Sequence, residues 1–150
     1  LGYCYWNGQG VEANCEEAIK WYKLAAEQGS ADAQDSLGDC YYYGTGAEVN
    51  YAEAIKWFKL SAEQGSTYAQ YSLAYCYGNG KGVDTNYEEA IKWYKLAAEK
   101  ENASAQYELG MCYYFGTGVD KDLQTARSWF EKAAAQGNKD AAEKLKELNA

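Results

Sequence analysis

The stretch Leu37–Gln70, LGDCYYYGTGAEVNYAEAIKWFKLSAEQGSTYAQ, decides the fold, because the rest of the chain repeats it. Leu37 recurs as Leu1, Leu73, Leu109 and Leu145, and Cys40 as Cys4, Cys76 and Cys112, at a fixed spacing of 36. Trp57 has equivalents in Trp21, Trp93 and Trp129, and Ala54 in Ala18, Ala90 and Ala126. A period of this length without strand-like alternation is the signature of an α-solenoid, in which each copy buries its apolar face against its neighbours. The 150 residues are therefore read as one all-α solenoid domain, residues 1–150. The copies run 1–36, with the first helix truncated, then 37–72, 73–108 and 109–144, and 145–150 is the end of a terminal helix.

Each copy encodes two helices, A and B, with legible ends. Helix B starts after Asn14, Asn50, Asn86 and Asp122, residue types whose side-chain oxygen accepts an orphan N–H of the first turn. Glu17, Glu53 and Glu89 follow the asparagines by three positions, as in a capping box. Helix B stops near Gly29, Gly65 and Gly137, where a left-handed residue closes the last turn. The third copy has Glu101 and Asn102 there, which predicts a different corner. Helix A begins after Ser30, Ser66, Asn102 and Asn138 and ends at Gly44, Gly80 and Gly116. Of the first helix A only Leu1–Asn7 is present, which reads as a cut from a longer array.

Composition narrows the chemistry. The chain has no His, which removes the commonest catalytic base and metal ligand and excludes Ser-His and Cys-His nucleophile systems within it. A net charge of −8 argues against a surface for nucleic acid. No apolar run reaches the roughly 18 residues of a membrane span, so no membrane contact is expected. Because the chain starts at Leu1, the lack of a visible signal peptide says little about compartment.

The Leu-Gly-x-x-Tyr run, the Gly-x-Gly loop, the Ala-x-x-Trp-aromatic run and the Ala-Glu-Gln-Gly corner of Leu37–Gln70 resemble the Sel1-like repeat family, relatives of the tetratricopeptide repeats. The resemblance covers the whole chain and implies a right-handed superhelical solenoid of antiparallel helix pairs with an adaptor or scaffold role. The departures are Cys where the family often has a larger apolar residue, and Ala74 in place of Gly in the third copy. Some secreted members pair cysteines within each repeat; the matching positions here are alanines, so that scheme does not carry over.

Helical spacing puts Ala33, Leu37, Cys40, Tyr41 and Gly44 on the buried stripe of helix A, and Ala18, Trp21, Tyr22, Ala25 and Ala26 on that of helix B. Gly38, with Gly2 and Gly110, is small enough to let helices approach closely. Glu16 and Lys20 form an i,i+4 pair on the outward face with Lys23 and Glu27.

The opposite stripe of helix A is the candidate binding face. It comprises Tyr3, Trp6 and Asn7 in the first copy, and Asp32, Asp35, Asp39, Tyr42 and Tyr43 in the second. The third copy supplies Tyr68, Tyr71, Tyr75 and Asn79, the fourth Tyr107, Met111, Tyr114 and Phe115, and the last helix Asp140, Glu143 and Glu147. By resemblance to the tetratricopeptide relatives it lines the concave groove where ligands lie. The stripe is read as free of Lys and Arg. Two readings stand side by side. Neighbouring tyrosines pack across repeat interfaces, or they form a recognition surface, since Tyr and Trp are enriched at binding hot spots.

Weaker signals have simpler explanations. The paired glycines (Gly8/Gly10, Gly44/Gly46, Gly80/Gly82, Gly116/Gly118) follow helices in every copy, whereas a phosphate-binding loop follows a strand, so they read as turns. The periodic cysteines sit a full repeat apart, beyond disulfide reach, and read as small buried hydrophobes. Cys4 and Cys15 stay open as a pair. Asp32, Asp35 and Asp39 on one rigid helix do not supply the oxygens calcium needs, so no metal and no cofactor are expected. Asn102-Ala103-Ser104 is a glycosylation sequon in form.

The resulting expectation is a non-enzymatic scaffold that binds a peptide or partner domain, basic or aromatic-containing, on its aromatic and acidic concave face. Tyr71, Tyr75 and Tyr107 are the expected anchors. The alternative is a structural spacer within a larger protein, with no ligand of its own. The terminal helix carries a polar cap (Glu143, Lys144, Lys146, Glu147) and the start does not, which predicts self-association through the truncated end. Buried free thiols mildly favour a reducing compartment such as the cytoplasm.

Overall fold

The computed structural model describes residues 14–149, and among them it contains eight α-helices and no strand. These are α1 (Cys15–Glu27), α2 (Ala31–Tyr43), α3 (Tyr51–Glu63), α4 (Thr67–Asn79), α5 (Tyr87–Glu99), α6 (Ala103–Phe115), α7 (Leu123–Ala135) and α8 (Lys139–Asn149). Odd-numbered helices are the B helices of the repeat and even-numbered ones the A helices. The truncated first helix, with Tyr3, Cys4 and Trp6, lies outside the described residues.

The chain divides into two compact units. The first runs to Ala69 and includes Lys81–Val83; the second comprises Gln70–Gly80 and the chain from Asp84 on. In the first, α1 packs on α2 and α2 on α3; in the second, α5, α6, α7 and α8 pack each on the next.

The B helices start as their sequence dictates. The side chains of Asn14, Asn50 and Asn86 accept the N–H of Glu17, Glu53 and Glu89, and Asp122 accepts from Gln124 and Thr125. The capping box is only half made. The glutamates turn away to Lys20, Lys56 and Lys92, three residues on, at 2.9, 2.9 and 3.2 Å. Lys20 thus pairs with Glu17 and not with Glu16.

The corner between helices corrects a second expectation. Gly29, Gly65 and Gly137 have φ of 91, 96 and 90°, and Glu101 takes the same left-handed backbone at φ 63°. The hydrogen bonds match as well: Asn102 N donates to Ala97 O at 3.1 Å as Ser30 N does to Ala25 O at 3.1 Å. The third corner keeps the common shape despite its side chain, because the helices on both sides hold it there.

Each core is built from the predicted stripes. Ala18, Tyr22, Ala26, Ala33, Leu37 and Cys40 are buried together in the first unit, and Ala126, Phe130, Ala133 and Ala141 in the second. Gly38 permits the closest approach: a Cβ there would lie 2.5 Å from the Phe58 ring, and one at Gly110 would lie 2.6 Å from the Phe130 ring. In the loops, the second glycine faces the start of a B helix, and a Cβ on Gly46 would sit 2.7 Å from Cys15 O.

The periodic glutamines Gln34, Gln70 and Gln106 are buried, a feature the apolar pattern does not announce. Gln34 Nε2 donates to Ala26 O (3.1 Å), while its Oε1 accepts from Gln64 Nε2 (2.7 Å). Gln106 does the same with Ala98 O (3.1 Å) and Gln136 (2.8 Å). Gln34 and Gln106 each thereby satisfy a helix-end carbonyl and tie one repeat to the next.

Candidate protein-interaction face

In the first unit the α2 stripe splits in two. Asp35 and Asp39 point towards the start of α4, where Ser66 Oγ donates to Asp35 Oδ2 at 2.7 Å and the Tyr68 hydroxyl to Asp39 Oδ1 at 2.6 Å. Burial raises Asp35 above the usual aspartate range, the Ser61 and Ser66 hydroxyls oppose the rise, and Asp32 adds to it. Asp39 is likewise raised by burial, opposed by Tyr68 and reinforced by Asp35. These two acids link repeats through hydrogen bonds. Tyr42 packs edge-on against Tyr43 and Tyr51, at ring separations of 4.8 and 5.1 Å. Asp32 is exposed, Tyr43 is 67 % exposed and Tyr68 42 %.

The second unit shows the same division. Tyr107 and Tyr114 pack against Phe130 at 5.9 and 6.4 Å, and with Met111 they border the buried cluster. Tyr71 packs against Tyr94 at 6.0 Å and Tyr75 at 6.4 Å. Asn79 is exposed and donates to Tyr75 O at 2.9 Å. Phe115 is 62 % exposed. Packing and exposure thus divide the predicted residues: Tyr71, Tyr107 and Tyr114 pack on a ring of the following helix, while Tyr43 and Phe115, each edge-on to the ring before it on its own helix, stay largely exposed.

The stripe is not free of cations. Lys144 of α8 lies over the Tyr114 ring at 5.7 Å, and Lys121 lies at 6.0 Å from the same ring. Helical periodicity puts Lys144 on the polar outer face of the last helix, but one turn of α8 brings it back over α6, where it also pairs with Glu147 at 2.6 Å. The negative field expected along the whole stripe is therefore broken in the fourth copy.

Glu108 went unnoticed in the stripe. It stands on α6 in the position of Ser36, Ser72 and Lys144, half-buried, and burial lifts its carboxyl above the usual range. A 36-residue alignment of the copies shows it as the one acid at this position.

Among the described residues no group of three or more His, Cys, Asp or Glu is arranged to hold a metal ion, and no helix is long and apolar enough to cross a membrane. Cys15, Cys40, Cys76 and Cys112 are free thiols. Burial pushes the Cys40 and Cys112 thiols up to about 11, so neither is a ready nucleophile at neutral pH.

Known proteins share this arrangement. The Sel1 repeat matches the chain four times, at residues 1–30, 31–66, 67–102 and 103–138, each full copy spanning a helix A and the helix B after it. A Sel1 repeat protein from Oxalobacter formigenes is 42 % identical over 96 % of this chain and 59 % of its own, with a TM-score of 0.91. The protective antigen c5321 of uropathogenic Escherichia coli, which displays the same repeat fold, is 34 % identical over 97 % of this chain and 39 % of its own, at a TM-score of 0.67. Cysteine rich protein B of Helicobacter pylori is 26 % identical, covers 92 % of this chain and 99 % of its own, and has a TM-score of 0.69. The chain thus spans less than two thirds of the length of each of the first two. No curated protein matches it in sequence. Four matched repeats, the 36-residue period and the paired helices place the chain in the Sel1 repeat family, to which it belongs.

Proposed function

We propose that this chain is a non-enzymatic scaffold that binds a protein segment on the open faces of its A helices. Sel1 repeat proteins are typically protein–protein interaction scaffolds. The observation that carries the reading here is the exposure of Tyr43 and Phe115, equivalent residues at the ends of α2 and α6 that the core leaves uncovered. Large aromatics contribute much contact area at low entropic cost, which suits them to anchor a partner. The partner preferred is basic or aromatic-containing, given the net charge of −8 and the exposed Asp32 on α2.

The test is a peptide array probed with the purified chain, followed by affinity measurements on the peptides recovered. Tyr43→Ala or Phe115→Ala should weaken binding by about 2 kcal/mol, and added salt should weaken it further. Recovery of acidic peptides only, or affinities indifferent to both variants, would overturn the reading.

A further inference from the structure

The third copy breaks the pattern of its neighbours at two positions that face one another. Tyr42 and Tyr114 put a ring against Phe58 and Phe130, both at 6.4 Å, but the equivalent residue in the third copy is Gly78. A Cβ on Gly78 would meet nothing within 4 Å except Ala90 Cβ at 3.7 Å, so the place of that ring is open at its base. The side chain that reaches over the ring in the fourth copy is Lys144, 5.7 Å from Tyr114; its equivalent in the third copy is Glu108. By repeat equivalence, a ring under an ammonium is thus replaced by a glycine and a carboxylate. Tyr71 and Tyr75, both part-exposed, stand two turns and one turn before Gly78 on α4, Tyr71 packs on Tyr94 at 6.0 Å, and Glu108 lies near enough to act electrostatically on the same Tyr94. Among the described residues Glu108 pairs with no cation and accepts no hydrogen bond.

We propose that Glu108, Tyr71 and Tyr75, around the space above Gly78, form a subsite for one arginine side chain of a bound protein segment. The carboxylate takes the guanidinium, the tyrosine faces stack on it, and the absent ring leaves room for its stem. Burial holds the Glu108 carboxyl above the ordinary range, and a paired cation offsets the cost of keeping it charged there. The subsite rests on the scaffold reading for its ligand, a protein segment.

The probe is N-acetyl-arginine amide, titrated into the chain with ring-labelled tyrosines and followed by NMR, against the uncharged isostere N-acetyl-citrulline amide. The Tyr71 and Tyr75 signals should shift saturably with arginine, and citrulline should bind about tenfold more weakly. Glu108→Gln should cost a similar factor, and Gly78→Tyr, which restores the residue of the second and fourth copies, should block the site. Glu131→Gln, an exposed acid on α7 outside the candidate face, should change nothing. Equal binding of citrulline, or full affinity in either Glu108→Gln or Gly78→Tyr, would overturn the subsite. A partner peptide whose affinity ignores both variants would sink the subsite and leave the scaffold. Specific arginine binding without any partner peptide would do the reverse.

Discussion

Replacing Gly38 by alanine sets two effects of opposite sign against each other. In a helix interior alanine is favoured over glycine by about 1 kcal/mol, so propensity alone predicts a gain. The new methyl, however, would lie 2.5, 2.6 and 3.0 Å from three atoms of the Phe58 ring, where ordinary carbon contacts are about 3.5–4.0 Å. Phe58 is 1 % exposed, so its ring can move aside only by displacing other core side chains. Overpacking of such a core costs about 1–3 kcal/mol, and the contact here spans one whole ring edge, so the upper half of that range applies. The expected net loss is about 1–2 kcal/mol, read as a lower urea midpoint by far-UV circular dichroism. Gly78→Ala is the internal control: its Cβ has only an ordinary 3.7 Å contact, so it should stabilise by up to about 1 kcal/mol. Phe58→Leu combined with Gly38→Ala should be less harmful than the sum of the two, because the smaller side chain removes the clash. A Gly38→Ala variant as stable as the parent would refute the close-packing account.

Other outcomes follow from single contacts. Glu101→Gly should stabilise by about 0.5–1 kcal/mol in the same melt, since it relieves a left-handed backbone that glycine adopts freely. Gln106→Ala should cost about 2 kcal/mol, because it strands the Ala98 carbonyl and the Gln136 amide together. Asp35 binds its proton more tightly in the folded chain than in the unfolded one, so its contribution falls as pH rises from about 4 through its raised folded value and is fully unfavourable above it. The stability of the parent relative to Asp35→Asn should therefore decline across that window, and an unchanged difference would argue against its burial. Cys40 and Cys112, with thiols near 11, should react slowly with a disulfide reagent at pH 8 in a Cys4→Ser, Cys15→Ser, Cys76→Ser background, and quickly once unfolded.

Helix ends were legible because capping is local: Asn14, Asn50, Asn86 and Asp122 meet N–H groups two or three residues away, whatever the tertiary setting. The buried stripes were legible for the same reason, since helical spacing alone brings Leu37 and Cys40 to one side. The glutamines escaped notice because a polar residue on a buried face means nothing until its partners, 8 and 30 residues away, are known. Glu101 misled because its left-handed backbone is imposed by the helices around it and not by its own preference. The candidate face was only half legible. Period alone names every residue that turns away from the core, but whether Tyr107 covers Phe130 or faces solvent depends on the neighbouring repeat. Glu108 needed the copies read column by column, where an acid among serines and a lysine stands out.

The glutamine at each A helix has a consequence for how such chains change length. Gln34 looks back to the corner of its own repeat and forward to the capping Gln64, and Gln106 to its corner and Gln136. The two ends of this link are the same in both places, so a copy carrying them fits after any other copy that carries them. Duplication or loss of a 36-residue segment that carries both glutamines then preserves the Gln34–Gln64 and Gln106–Gln136 type of link. Lys100, at the position of Gln28, Gln64 and Gln136, marks the one junction among the described residues written in other letters, and a copy moved to that place meets a different partner.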